Sequence, residues 1–99
     1  MASIEMNDGT VVVRCGENLV ATAVPGFRSA LIEAVGGAER DVVIDLASVG
    51  VIDSLGIAAI IAAHNTLQAG PGRLRLTGAG EDIRSLFALM RIDRHIEIA

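Results

Sequence analysis

Val42-Val43-Ile44-Asp45-Leu46, followed closely by Val51-Ile52-Asp53-Ser54-Leu55-Gly56-Ile57, decides how the chain is read. The first five residues are almost all apolar and β-branched, the composition of a strand buried on both faces. The second group runs into an apolar, alanine-rich stretch of helical composition, so Asp53 and Ser54 fall where a loop becomes a helix. Their side-chain oxygens suit the unpaired N–H groups of a first helical turn. The same N–H groups and the helix dipole favour phosphate.

Working outward, the pattern alternates between strand and helix. Ser3 to Met6 and Thr10 to Cys15 read as strands joined at Asn7-Asp8-Gly9, a strong hairpin signal. Gly16-Glu17-Asn18 ends the second. From Thr22 to Val35 the apolar residues Phe27, Ala30, Leu31 and Ala34 fall at helical spacing. Thr22 is the expected N-cap, Pro25 fits the first turn, and Gly36-Gly37 is the expected stop. The helix after Ser54 is expected to reach about Ala69, with Ile57, Ile60, Ile61 and Leu67 as its core stripe and His64 in the same row. Ala58, Ala59, Ala62 and Ala63 line its other sides. Gly70-Pro71-Gly72 breaks the chain. Arg73 to Thr77 alternates like a strand with one wet face. Ile83, Leu86, Phe87 and Met90 repeat the helical spacing, and Ile96-Glu97-Ile98 reads as a short edge strand. The order β-β-α-β-α-β-α, with a last β, implies an α/β fold with parallel crossovers and an initial hairpin.

The bulk properties narrow the function. The chain has 99 residues, 52% apolar and 20% charged, which fits one domain with a single core. Its net charge is −4, its pI about 4.9, and it has no Trp or Tyr. Nucleic acid would call for a basic stripe or stacking aromatics, so it is not the expected partner. The single Cys15 cannot form an internal disulfide, which fits a reducing compartment. The N-terminus lacks signal-peptide character, and Leu55 to Ala63 is less than half of the ~20 residues a membrane span needs. A cytoplasmic protein with no membrane insertion is expected.

Catalysis and metal binding find little support. His64 lies ten residues beyond Ser54, a rise of about 15 Å on one helix, too far to act as its base. Nothing local brings His95 to Ser54, and the glycine-flanked serine of a hydrolase elbow is missing. One Cys and two distant His give no metal-ligand spacing, and the glycine doublets lack the Lys-Ser/Thr of a phosphate loop. Cys15 reads as a packing residue at a strand end. Two readings of Asp53 and Ser54 stay open: a helix cap, or a switch in which added phosphate charge changes what binds there.

These residues resemble the STAS domain family, the fold of the bacterial anti-sigma factor antagonists. The resemblance rests on Val42 to Leu46, Val49 to Ile57 and the helix through Leu67. It also takes in Gly16-Glu17, Ala21-Thr22-Ala23 and Arg73-Leu74-Arg75-Leu76, and so covers nearly the whole chain. It implies a single STAS domain over residues 1–99, a mixed central sheet with an N-terminal hairpin packed by three or more helices, no cofactor, and binding in place of catalysis. Members typically bind a serine kinase that is also an anti-sigma factor, are phosphorylated and released, and are reset by a phosphatase. Others serve stress-signalling complexes, chemotaxis systems, transporter tails or lipid-transport assemblies.

Two positions depart from the family pattern. The usual motif is Asp-Ser-Ser/Thr-Gly, with phosphate on the residue before the glycine, and here that residue is Leu55. The family also tends to carry an Asp near Gly-Glu, where this chain has Leu19 beside Asn18. The resemblance therefore implies a partner surface at Asp53, Ser54, Leu55, Gly56, Ala58 and Ala62, with Ser54 as the remaining candidate phosphoacceptor. The implied partner is an anti-sigma factor, serine kinase or other signalling protein. The alternative is a phosphorylation-independent subunit of a transport ATPase, chemotaxis or scaffold assembly. The sequence leaves the oligomeric state open.

Overall fold

In the computed structural model, which describes residues 2–36 and 40–99, a five-stranded sheet in the order β1-β2-β3-β4-β5 carries three helices. The hairpin β1 (Ala2–Asn7) and β2 (Thr10–Cys15) pairs antiparallel, with Asn7 opposite Thr10. Asp8 and Gly9 both take positive φ, 52° and 82°, the type I′ geometry whose twist matches the strands. Helix α1 (Val24–Val35) leads to β3 (Val42–Asp45), α2 (Ser54–Leu67) to β4 (Leu74–Thr77), and α3 (Glu81–Leu89) to β5 (Glu97–Ile98). β2, β3, β4 and β5 run parallel, so β3 sits at the centre and β5 at an edge.

Each crossover steps the same way across the sheet. Right-handed crossovers then place all three helices on one face. Strand parity agrees: Val11, Val13, Val42, Ile44, Leu74 and Leu76 are buried with Phe27, Ile60, Leu67 and Phe87 in one core. The opposite face carries Glu5, Arg14, Asp45, Arg75 and Glu97 in register. Arg14 bridges Glu5 at 2.9 Å and Asp45 at 3.4 Å, and Arg75 faces Glu97 at 3.7 Å. Such exposed pairs are each worth at most about 1 kcal/mol. They make that face wet but add little to its stability.

Four local expectations need correction. Helix α1 begins at Val24 with Ala23 as its N-cap and no side-chain cap bond, so Thr22 caps nothing. Helix α2 ends at Leu67, short of Ala69. Its buried residues are Gly56, Ile57, Ala59, Ile60, Ala63 and Leu67. Ile61 is 38% exposed instead, because α1 packs beside α2 and the close-packed arc there takes alanine. Met90 lies past the end of α3, 48% exposed. Gly37, half of the expected α1 stop, lies outside the described residues; Gly36 is the observed C-cap.

Candidate functional site

The turn before α2 stands at the carboxyl end of the parallel strands. Asp53 is the N-cap in extended backbone, and its Oδ1 accepts from the N–H groups of Leu55 (3.0 Å) and Gly56 (3.1 Å). Ser54 is the first helical residue, exposed, with no side-chain hydrogen-bond partner among the described residues. The N–H groups that would attract an anion are thus partly occupied by Asp53 itself. Phosphate on Ser54 would stand beside that carboxylate.

The turn is held by a segment distant in sequence. Asn18 Oδ1 accepts from Gly50 N–H (2.8 Å) and Val51 N–H (3.1 Å). Leu19 N–H donates to the Val51 carbonyl at 2.9 Å, and Asp53 N–H to the Leu19 carbonyl at 3.0 Å. Leu19 and Ile52 form a parallel bridge, which extends the β2–β3 pairing to the site. Leu19 is 2% exposed, so the side chain at the family's acidic position points into the core and not at the turn.

Gly56 owes its place to space. A Cβ there would lie 2.9 Å from Ile52 Cγ1 and 2.9 Å from the Leu19 carbonyl oxygen. The glycine lets the first turn of α2 close against the Asn18–Leu19 segment. Its role in the fold is packing.

Beside the Ser54 hydroxyl, this hydrogen-bonded turn presents large apolar side chains. Leu55 is 54% exposed and Val51 53%. Ala58, Ile61 and Ala62 are exposed further along α2. Asp53, Ser54, Leu55 and Gly56 come together as the sequence implies, with Ala58 and Ala62 on the same helix. Val51 and Asn18 were not among the expected site residues. Asn18 had no local signal, since its role depends on a loop more than thirty residues away.

Elsewhere, the opposite end of the sheet holds a hollow of about 750 Å³ bordered by His64, Arg73, Arg94 and His95, with Asp41 and Asp93. Asp41 Oδ1 accepts from Arg73 N–H at 3.0 Å. Cys15 is buried, and its thiol is pushed up to about 12 by burial and by the neighbouring charge of Asp45. No helix among the described residues is long and apolar enough to cross a membrane.

Comparison with known proteins gives a consistent result. The STAS domain family model matches residues 1–99. An anti-sigma factor antagonist from Mycobacterium paratuberculosis superposes with a TM-score of 0.86 at 24% identity, over 99% of this chain and 83% of that one. The Bacillus anti-sigma factor antagonist SpoIIAA in its unphosphorylated form gives 0.78 at 23%, over 100% and 87%. A STAS domain protein from Planctomyces limnophilus gives 0.87 at 18%, over 98% and 87%. No curated protein matches the sequence.

Proposed function

The chain belongs to the STAS domain family, and from that premise we propose a non-enzymatic interaction module. It docks an anti-sigma factor, serine kinase or related signalling protein on the Asp53–Gly56 turn and the adjoining surface of α2. One observation carries this reading: a turn fixed by backbone and Asn18 hydrogen bonds presents Leu55 and Val51 to solvent, each more than half exposed. Holding large apolar side chains out on a rigid support is what a binding anchor requires. The exposed Ala58 and Ala62 leave room for close approach, and Asp53 and Ser54 supply polar contacts at the rim. The fold relationship to anti-sigma factor antagonists supports the class of partner.

Leu55 takes the place of the usual phosphoacceptor, so release by phosphate at that position does not operate here. Ser54 is the accessible hydroxyl beside it. A phosphate there would add about −1.5 to −2 charges next to Asp53 and Leu55, and so repel an apolar partner surface while leaving the fold intact. The missing hydroxyl at position 55 equally suits a second reading, a phosphorylation-independent subunit of a transporter or scaffold assembly. The protein captured from host lysate separates the two. Parallel baits of wild-type, Leu55→Asp and Ser54→Asp test the surface itself. Loss of the partner on Leu55→Asp is the expected result; equal retention on all three would reject the docking surface.

A further inference from the structure

The two edges of the sheet differ. β5 is two residues long and carries the charged Glu97. β1 offers six residues, with no lysine, no proline and no bulge in its pairing. Its one charge, Glu5, is paired with Arg14, and the Arg40 guanidinium reaches Met6 Sδ at 3.8 Å. Ile4 and Met6 remain 36% and 59% exposed on the helix-bearing side, since each lies opposite a core valine of β2, Val13 and Val11.

The phase of the free hydrogen-bonding groups follows from the hairpin. A two-residue type I′ loop closes on a hydrogen-bonded pair, here Asn7 and Thr10. Glu5 with Val12 and Ser3 with Arg14 are then also bonded pairs. Val11 N–H agrees, since it turns away from β1 and donates to the Asp41 carbonyl at 2.9 Å. The N–H and C=O groups of Ala2, Ile4 and Met6 consequently point out of the sheet edge.

We propose that this edge is a self-association surface, pairing antiparallel with β1 of a second copy in a register centred on Ile4. The sequence is self-complementary in that register. Ile4 meets its own mate, and Met6 meets Ala2, so every outward-pointing amide finds a partner, about six hydrogen bonds in all. The three apolar side chains form one ladder on the helix side. On the other side Ser3 faces Glu5, whose charge is already held by Arg14 at 2.9 Å. Centring on Glu5 instead would oppose two carboxylates, which sheets disfavour. The product is a ten-stranded sheet from two copies of the five-stranded one. The edge lies apart from the Asp53–Gly56 turn, so the inference does not depend on the docking surface above.

Sedimentation equilibrium from micromolar to millimolar chain tests it, alongside Ile4→Lys and Ile4→Cys. Wild-type protein is expected to pass from monomer to dimer mass with concentration, and Ile4→Lys to stay monomeric with unchanged circular dichroism. Should Ile4→Lys fail to fold, the cysteine variant decides. Opposed Ile4 positions would be about 5.5 Å apart between Cα atoms, within disulfide reach. Ile4→Cys should therefore oxidise to a covalent dimer, while Glu5→Cys does not. A wild-type monomer at every concentration, a dimer that survives Ile4→Lys, or equal cross-linking of both cysteine variants would overturn the proposal.

Discussion

The two ends of the parallel sheet are built on opposite plans. At the carboxyl end the backbone is tied down, by Asn18 to Gly50 and Val51 and by Leu19 to Val51 and Asp53, while Val51 and Leu55 hold large apolar side chains out beside the exposed Ser54. At the amino end Gly70-Pro71-Gly72 and residues 93–97 border a wide hollow rimmed by charged and polar groups. Water satisfies the second kind of surface without help. The first exposes hydrocarbon on a support too well ordered to fold it away, and that combination marks where a partner gains most by covering it.

Breaking the contrast at its strongest point should give the largest effect. Leu55→Asp replaces an exposed anchor by a charge, so partner affinity should fall at least about tenfold, the usual reach of an anchor residue. Its unfolding free energy should stay within about 0.5 kcal/mol of wild type, because position 55 is already half in water. Arg94→Ala, at the other end, should change neither quantity; urea unfolding and a binding titration measure both.

The support comes next. Gly56→Ala forces a Cβ to 2.9 Å from both Ile52 Cγ1 and the Leu19 carbonyl, and should cost about 1–3 kcal/mol in urea unfolding. Asp53→Ala removes the cap of α2 and should cost about 1 kcal/mol. Gly80, the N-cap of α3, offers a contrast: nothing lies within 4 Å of a Cβ there, so Gly80→Ala should cost only its weaker capping, about 0.5 kcal/mol.

The last effect belongs to Cys15 and is nil at neutral pH. Its thiol titrates near 12 in the fold, against 9.0 for a free cysteine. Below pH 9 both states hold the proton and stability does not respond. Between 9 and 12 the unfolded chain sheds a proton that the fold retains, so stability falls as pH rises, by up to about 1.4 kcal/mol per unit. The chain has no lysine and no tyrosine to mask this. Chemical unfolding across that range should show the slope in wild type and its loss in Cys15→Ala.

How much of this was legible in the sequence follows from how local each feature is. Asp53 before an apolar helix announces itself as a cap, and the type I′ hairpin is written in Asp8-Gly9. Val42 to Ile44 reads as a central strand because no polar residue interrupts it. Thr22 was misleading because a good capping residue caps only where the helix starts, and α1 starts at Val24. Ile61 was misread because helical spacing alone does not say which arc meets a neighbouring helix, and here that arc takes Ala59 and Ala63. Asn18 was invisible as a site residue. Its two hydrogen bonds exist only once β2 and β3 lie side by side.

The most direct test is to map the contact surface. An isotope-labelled chain would be titrated with the protein recovered on the wild-type bait, and its backbone amide shifts followed. Shifts should appear at Val51, Ser54, Leu55, Ala58 and Ala62 and spare Arg73, Arg94 and His95. Shifts confined to the hollow at the amino end, with the Asp53–Gly56 turn silent, would contradict the assignment of the docking surface.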